Sequence, residues 1–489
     1  MTTNKDRILP IVGNSLEGKV VALLGAAYHV SYLADLYARM GIKVILPFEE
    51  AFAHPELIYK EGVIFCPVKE DRVKMPRDIT VLYSLDKSLL EEARGLQNVL
   101  WVESSSVSSI GEVYYSEHGA LPHEILHVPS TYHAYPAIGY WVKHILCKDY
   151  QDKHTRRYMD LETTFLSFQT PRLDLSARES DRTIVVIGTG TASLMLPFLR
   201  YTKAHVLLVD TGKFSEYNVV RQWCTVEDVG YFKAPSLARR LLSKLSVRAS
   251  STTSDLSDLA LLKELLPCLY KPIVVLSTGE TTYINHKIAK VLWDMKIPFV
   301  VPSALPSCLY WKTIVVDRSL SENCYSCYQG EPASSPPVMR TEAMEVYYGG
   351  TQPATVFETL PSACFLFYCV TQLLTPPEYQ DAWFQETVRM GRCFLGGNVA
   401  QKDSSGKATY NLDYPGEVRT YAVEDLQNWP SCMVCGNLHG MPCHRDALCG
   451  YCNAKPAESY GYCCRGHEML AAKESNEAWR ISQMILEDE

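Results

Sequence analysis

The chain has 489 residues, of which 47% are hydrophobic and 21% charged, and its formal net charge is -8. That length and apolar content allow two or three domains with cores of their own, while the acidic balance speaks against a surface that coats nucleic acid, where affinity comes from clustered Lys and Arg on phosphates. No window reaches the roughly 18 consecutive apolar residues of a membrane span, and the opening MTTNKDRILPIVG lacks the apolar core of a secretory signal. The expectation is a soluble cytoplasmic protein with neither nucleic acid nor membrane as a partner.

Residues 17–105 alternate strand and helix: KVVALLGA, the amphipathic HVSYLADLYARMG, IKVILPF, GVIFCPV, ITVLYSL, a short helix SLLEEARGL, and NVLWVESS. Strands alternating with helices imply a parallel sheet covered on its faces. Residues 150–182 are more polar and read as a helix followed by a linker. A second α/β unit begins at TIVVIGTGTAS, and from about 376 to 425 the composition turns to Pro, Gly, Asp and Ser with short strand-like runs. The chain therefore divides into an N-terminal α/β domain over 1–149, a linker over 150–182, a second α/β domain over 183–436 and a Cys/His-rich tail over 437–489.

The second unit carries the chemistry. TIVVIGTGTASLMLPFLRYTKAHVLLVD reads as a strand, a glycine turn, a helix and a second strand ending in an acid. Gly188 and Gly190 let backbone N–H groups approach a phosphate, and Asp210 can accept from a ribose hydroxyl. The sixth position of the turn is Ser193 where a dinucleotide fingerprint has glycine, and such turns also occur without a ligand. Asn218, Arg221, Gln222 and Lys233 follow in NVVRQWCTVEDVGYFKA, donors set among apolar residues where a bare surface loop would carry mixed charge.

The chain contains seventeen cysteines, several of them late. In a long chain without a secretory signal, clustered cysteines point to metal rather than to disulfides. Cys324 and Cys327, and Cys432 and Cys435, form two C-x-x-C knuckles that together complete a closed tetrahedral zinc site; the alternative is two separate pairs of buried thiols. In the tail, Cys449 and Cys452 form a third knuckle, with Cys443, His444, Cys463, Cys464 and His467 available for a second zinc, whereas His439 has no partner at ligand spacing. Cys364 and Cys369, after Pro361 at an expected first helical position, read as core packing. Cys224 lies near the donor-rich segment, and no cysteine is assigned as a nucleophile.

The pattern D-x7-N-x2-R-Q followed by D-x-G-x2-K (Asp210, Asn218, Arg221, Gln222; Asp228, Gly230, Lys233) resembles the ThiF/MoeB superfamily, the adenylating enzymes that include ubiquitin-activating enzymes and microcin-type peptide-adenylating enzymes. The resemblance runs over about residues 183–436, through KPIVVLSTGETTYINHKIAKVLWDMKIPFVVPSA and WKTIVVDRSLSENCYSC to the second C-x-x-C. It implies a Rossmann-like parallel-sheet adenylation domain with zinc knuckles, preceded by a second α/β domain. It further implies ATP and Mg2+ as well as Zn2+, a peptide or small-protein substrate, and a homodimer.

Carried over position by position, the resemblance gives Gly188 and Gly190 the nucleotide turn and Asp210 the ribose, with Asn218, Arg221 and Lys233 around the phosphates. Arg and Lys there would stabilise charge developing on the α-phosphate. Gln222 is expected to brace the loop. Three positions depart: Gly212 stands where the family has a second acid, Gly279 where it has its magnesium aspartate, and Lys233 comes one residue early. Glu280, next to Gly279, is the candidate carboxylate for magnesium. The N-terminal unit, with Gly25 after its first strand, reads either as a decayed copy of the same fold or as an accessory domain that binds a peptide. Arg156 and Arg157 are either a reach toward a neighbouring subunit's ATP or a basic face of a linker helix. The resulting expectation is ATP-dependent adenylation of a carboxylate on a peptide or small ubiquitin-like protein, as in modified-peptide biosynthesis. The alternative is a degenerate relative that presents a peptide to partner enzymes.

Overall fold

A computed structural model of the chain describes residues 16, 18–25, 27–47, 51, 61–66, 77–83, 96, 99–102, 110–116, 146, 163–169, 182–256, 258–278, 282–304, 310–329, 356–397 and 418–421. Among these residues the strands form two sheets. The first sheet is built from β1 (Val20–Gly25), β2 (Lys43–Pro47), β3 (Val63–Cys66), β4 (Ile79–Tyr83), β5 (Val99–Val102), β6 (Ile110–Ser116) and β7 (Thr163–Gln169), in the order β3-β2-β1-β4-β5-β6-β7. It is parallel through β5, after which β6 and β7 pair antiparallel.

The second sheet has the same plan. Its strands are β8 (Thr183–Ile187), β9 (His205–Val209), β10 (Ala249–Thr252), β11 (Ile273–Leu276), β12 (Phe299–Ala304), β13 (Tyr310–Val316), β14 (Cys393–Gly397) and β15 (Val418–Tyr421), in the order β10-β9-β8-β11-β12-β13-β14-β15. Strands β8 to β12 are parallel and the last three pair antiparallel. Both sheets thus repeat one mixed, parallel-dominated α/β topology, in which the chain leaves its first strand toward one edge and returns to the other side of it. That reversal places a topological switch point between β8 and β11, where open α/β sheets bind ligands outside their strands' carboxyl ends.

The strands of this second sheet are continuous apolar runs because both faces are covered: Ile184, Val185, Val186, Val274, Val275 and Leu276 are all fully buried, as parallel strands require. One face carries α6 (Val356–Leu374), whose Phe367 lies 5.6 Å from Phe198 between ring centroids. Burying Phe365, Leu366 and Phe367 contributes roughly 1.5–3 kcal/mol each. The other face carries α3 (Leu259–Leu265) and α4 (Thr282–Asp294), over a second cluster that includes Leu262, Ile288 and Leu292.

The two halves share a core. Helix α1 (Ala27–Arg39) of the first half belongs to the same buried cluster as β8, β9 and α6. Its Tyr32 hydroxyl donates to the Leu194 carbonyl at 3.0 Å and its ring meets Phe198 edge-on, while Tyr37 packs on Phe357 at 5.7 Å.

Four local features depart from the sequence reading. The segment after the glycine turn, Thr191–Tyr201, is a 3₁₀ helix; Pro197 inside it lacks the N–H that an α-helical ladder needs. Pro361 lies within α6, five residues past its start at Val356, because the apolar run begins before the proline. Strand β7 falls inside 150–182, where a helix and linker were expected; TTFLSFQ is a β-branched and aromatic run that suits a strand. Finally, α7 (Ala382–Arg389) lies in a stretch read only as loops and short strands; Asp381 caps it by accepting from the Trp383 amide at 2.8 Å.

Candidate functional site

The candidate site is assembled at the carboxyl ends of β8, β9 and β11. Gly188 follows β8 with φ +79, and a Cβ there would stand 2.2 Å from the Ser277 carbonyl oxygen at the end of β11. Only glycine fits that close approach. Gly190 caps the start of the 3₁₀ helix, and a Cβ on it would make an ordinary contact with Gln222 Nε2 at 3.7 Å.

Asp210 ends β9 and holds the turn. Its Oδ2 accepts from the Thr189 amide and from the Thr189 hydroxyl, both at 2.7 Å, and its Oδ1 accepts from the Gly212 amide at 2.7 Å. A carboxylate offers about four acceptor positions, so Oδ1 retains capacity for a further donor such as a ribose hydroxyl. The sequence reading assigned Asp210 the ribose and missed its service to the turn.

Lys233 is brought back to this point by a short antiparallel zipper. The Phe214 amide donates to the Tyr231 carbonyl at 2.9 Å and the Lys233 amide to the Gly212 carbonyl at 2.9 Å, around a bridge between Lys213 and Phe232. Gly230 makes the reversal possible with φ +90. Lys233 Nζ then lies 3.8 Å from the position of a Cβ on Gly212, and that position is 2.9 Å from Asp210 Oδ1.

Lys233 is also the first residue of α2 (Lys233–Leu245), whose N-terminus has no side-chain cap and no acid in its first turn. A cation at the positive end of a helix is unfavourable by itself. Together they form a place where positive potential is concentrated and an anion is wanted.

Asn218 serves the loop. Its Oδ1 accepts from the Ser215 amide at 2.9 Å and the Ser215 hydroxyl at 3.2 Å, closing the 3₁₀ turn Glu216–Asn218, while its carbonyl accepts from the amides of Arg221 and Gln222. Asp228 does the same one turn on, accepting from the amide and hydroxyl of Thr225 and pairing with Arg240. Burial raises the Asp228 pKa, but Arg240 and the Thr225 bonds outweigh it, so the carboxyl is held below its ordinary value.

The RQW segment is gripped from three sides. The Thr359 hydroxyl of α6 donates to the Arg221 carbonyl at 3.3 Å, Arg39 Nη1 of α1 to the Gln222 carbonyl at 3.1 Å, and Arg240 Nη1 of α2 to the Trp223 carbonyl at 2.7 Å. The Trp223 amide in turn donates to Ser193 Oγ at 2.9 Å. Gln222 is buried with its amide beside Gly190. Cys224 is fully buried, and burial pushes its thiol up to about 11, so it stays protonated at neutral pH. Cys364 and Cys369 are likewise buried with raised thiols.

Cys324 and Cys327 sit at α5 (Tyr325–Gln329), both buried, with their sulfurs 3.9 Å apart. A tetrahedral zinc with Zn–S bonds of about 2.3 Å spaces its sulfurs by about 3.8 Å, so the pair fits half of such a site. His286 Nδ1 meets the Ser326 hydroxyl between them at 2.9 Å. Among the described residues no group of three or more His, Cys, Asp or Glu is placed to hold a metal. Cys432, Cys435, the tail, Gly279, Glu280, Arg156 and Arg157 lie outside the described residues.

No family model matches the sequence, and no curated protein matches it. Solved structures of E. coli MccB are similar in part. With selenomethionyl MccA the identity is 16% over 52% of this chain and 67% of that one, at a TM-score of 0.36. For MccB alone the values are 15%, 52%, 65% and 0.39, and for MccB with AMPCPP and MccA they are 12%, 65%, 94% and 0.38. In the first and second of these comparisons the chain spans about two thirds of the MccB length. Likenesses this distant leave the functional reading to the residues. Among the described residues, no helix is long and apolar enough to cross a membrane.

Proposed function

We propose that the chain adenylates a carboxylate on a peptide or small ubiquitin-like protein, using ATP. The observation that carries this reading is the convergence of three features at the switch point: the Gly188 turn, the Asp210 carboxylate with acceptor capacity to spare, and Lys233 at the uncapped start of α2. In the reaction a substrate carboxylate oxygen attacks the α-phosphorus of ATP and the bond to the β-phosphate breaks, giving an acyl adenylate and pyrophosphate. Lys233 and Arg221 would neutralise the charge that grows on the phosphate oxygens, while Asp210 would seat the ribose and hold the turn. Magnesium, when bound, would share the charge of the departing pyrophosphate, with Glu280 as its candidate ligand from this chain. Zinc would be held by Cys324, Cys327, Cys432 and Cys435, in a structural role.

The proposal includes a homodimer. Its support is the resemblance alone. A second reading, a scaffold that binds a precursor peptide without chemistry, is favoured by Gly212 and Gly279 standing where the resembled family has acids. ATP–pyrophosphate exchange, with peptides encoded beside the gene as substrates, decides between them: peptide-dependent exchange is expected, and binding of peptide without exchange selects the scaffold.

A further inference from the structure

The grip on the RQW segment crosses the boundary between the two halves of the chain. Arg39 ends α1 of the first half, its side chain is 3% exposed, and its guanidinium pairs with Asp35 one turn earlier while Nη1 reaches the Gln222 carbonyl, 183 positions away in sequence. A buried arginine is costly unless its charge is paired and its donors are used. Burial, with Arg240 adding to it, lowers the Arg39 pKa only to about 10, so the guanidinium remains a cation at neutral pH. The first half of the chain therefore spends a buried charge on one carbonyl of the donor-rich loop.

We propose that Arg39 is a positioning residue for the nucleotide: by fixing the Gln222 carbonyl it sets the peptide plane between Gln222 and Trp223 and so holds Gln222, whose side-chain amide lies beside Gly190 of the glycine turn. The peptide unit is planar, so holding consecutive carbonyls leaves little freedom to the residues between them. The Arg221, Gln222 and Trp223 carbonyls are held by Thr359, Arg39 and Arg240, and only the middle contact comes from the first half. This inference rests on the adenylation reading for a nucleotide at the Gly188 and Gly190 turn, and it gives the N-terminal half a task at the site of the second half.

The test uses the full chain and Arg39→Lys, which keeps a cation beside Asp35 but lacks the fork needed to serve Asp35 and Gln222 together. ATP affinity, measured by calorimetry, is expected to fall about tenfold in Arg39→Lys but less than about twofold when the same change is added to Gln222→Ala, because contacts that act through one another are not additive. A purely structural arginine would weaken both backgrounds alike, and that result, or an Arg39→Lys affinity within twofold of the parent, overturns the proposal. A second readout needs no nucleotide: alkylation of the buried Cys224 by iodoacetamide, followed on its own peptide, is expected to quicken about tenfold in Arg39→Lys as the segment loosens. If the parent protein binds no ATP, the adenylation reading fails while the anchor is still judged by Cys224, and an unchanged alkylation rate overturns it.

Discussion

The carboxylate of Asp210 accepts both the amide and the hydroxyl of Thr189, and through them the end of β9 fixes the turn that follows β8. An acid placed for a ligand is therefore also a brace for the glycine turn. Asp210→Ala is expected to weaken ATP binding by about 1–3 kcal/mol, the range for a lost charged hydrogen bond, and to lower the melting temperature at the same time. Thr189→Val removes one of the three bonds to the carboxylate and leaves the acid, so it should lower the melting temperature slightly and spare most of the affinity. Calorimetry and thermal melts on both variants check this; an unchanged ATP affinity in Asp210→Ala places the nucleotide elsewhere.

Asp228 offers a stability test with a defined pH dependence. Its folded carboxyl titrates below its ordinary value, so the folded state binds fewer protons than the unfolded state near that pH. The stabilisation is present above about pH 4 and is lost as pH falls through the folded value. Asp228→Asn leaves Arg240, only 11% exposed, without its carboxylate, and is expected to cost about 3 kcal/mol at pH 7. Urea unfolding at pH 7 and at pH 3 should show this gap narrowing in acid. Trp223, which lies 5.2 Å from the Arg240 guanidinium, supplies a local fluorescence signal.

Much of the fold was legible because strand pattern and glycine turns are local signals. TIVVI, HVLLV and IVVL are continuous apolar runs, and they form the parallel centre of the second sheet. Features that depend on one residue overriding its neighbours were less legible: Pro197 tightens a helix into 3₁₀ form, and Pro361 sits inside α6, whose preceding turn packs through Phe357 on Tyr37 of α1. At the site, Gly188 and Asp210 were singled out by the glycine-turn pattern and Lys233 by the resemblance, and the fold brings the three together at the ends of β8 and β9. The capping duties of Asn218 and Asp228 could have been read from S-x-x-N and T-x-x-D, whose first and last residues reciprocate across one turn. Arg39 carries no such signal, since its partner carbonyl is brought to it only by the packing of one half on the other.

The zinc prediction begins from the 3.9 Å between the Cys324 and Cys327 sulfurs. Purified protein is expected to hold at least one tightly bound zinc, and Cys324→Ser or Cys435→Ser should cost solubility before it alters any specific rate, because a structural site contributes directly to folding. Metal analysis is the check. Less than about half an equivalent of zinc per chain would remove the claim that the two knuckles share an ion.

Lys233 and Arg221 separate enzyme from scaffold. Lys233 costs α2 something where it stands, a cation at the positive end of a helix that has no cap and no acid in its first turn. If that cost is recovered on the charge developing at the α-phosphate, Lys233→Ala and Arg221→Ala should each slow pyrophosphate exchange by about 10²–10³-fold while ATP affinity falls much less. A scaffold that merely binds nucleotide would lose affinity in proportion and have no exchange to lose. Lys233→Ala should also raise the melting temperature slightly, since the helix sheds an unfavourable charge, and this opposes its effect on rate. Glu280→Gln is expected to raise the magnesium concentration needed for half-maximal exchange, because it removes the candidate carboxylate for the metal. A parent protein that binds ATP but exchanges no pyrophosphate with any neighbouring peptide, together with a Glu280→Gln variant of identical behaviour, would falsify the enzyme reading and leave the scaffold.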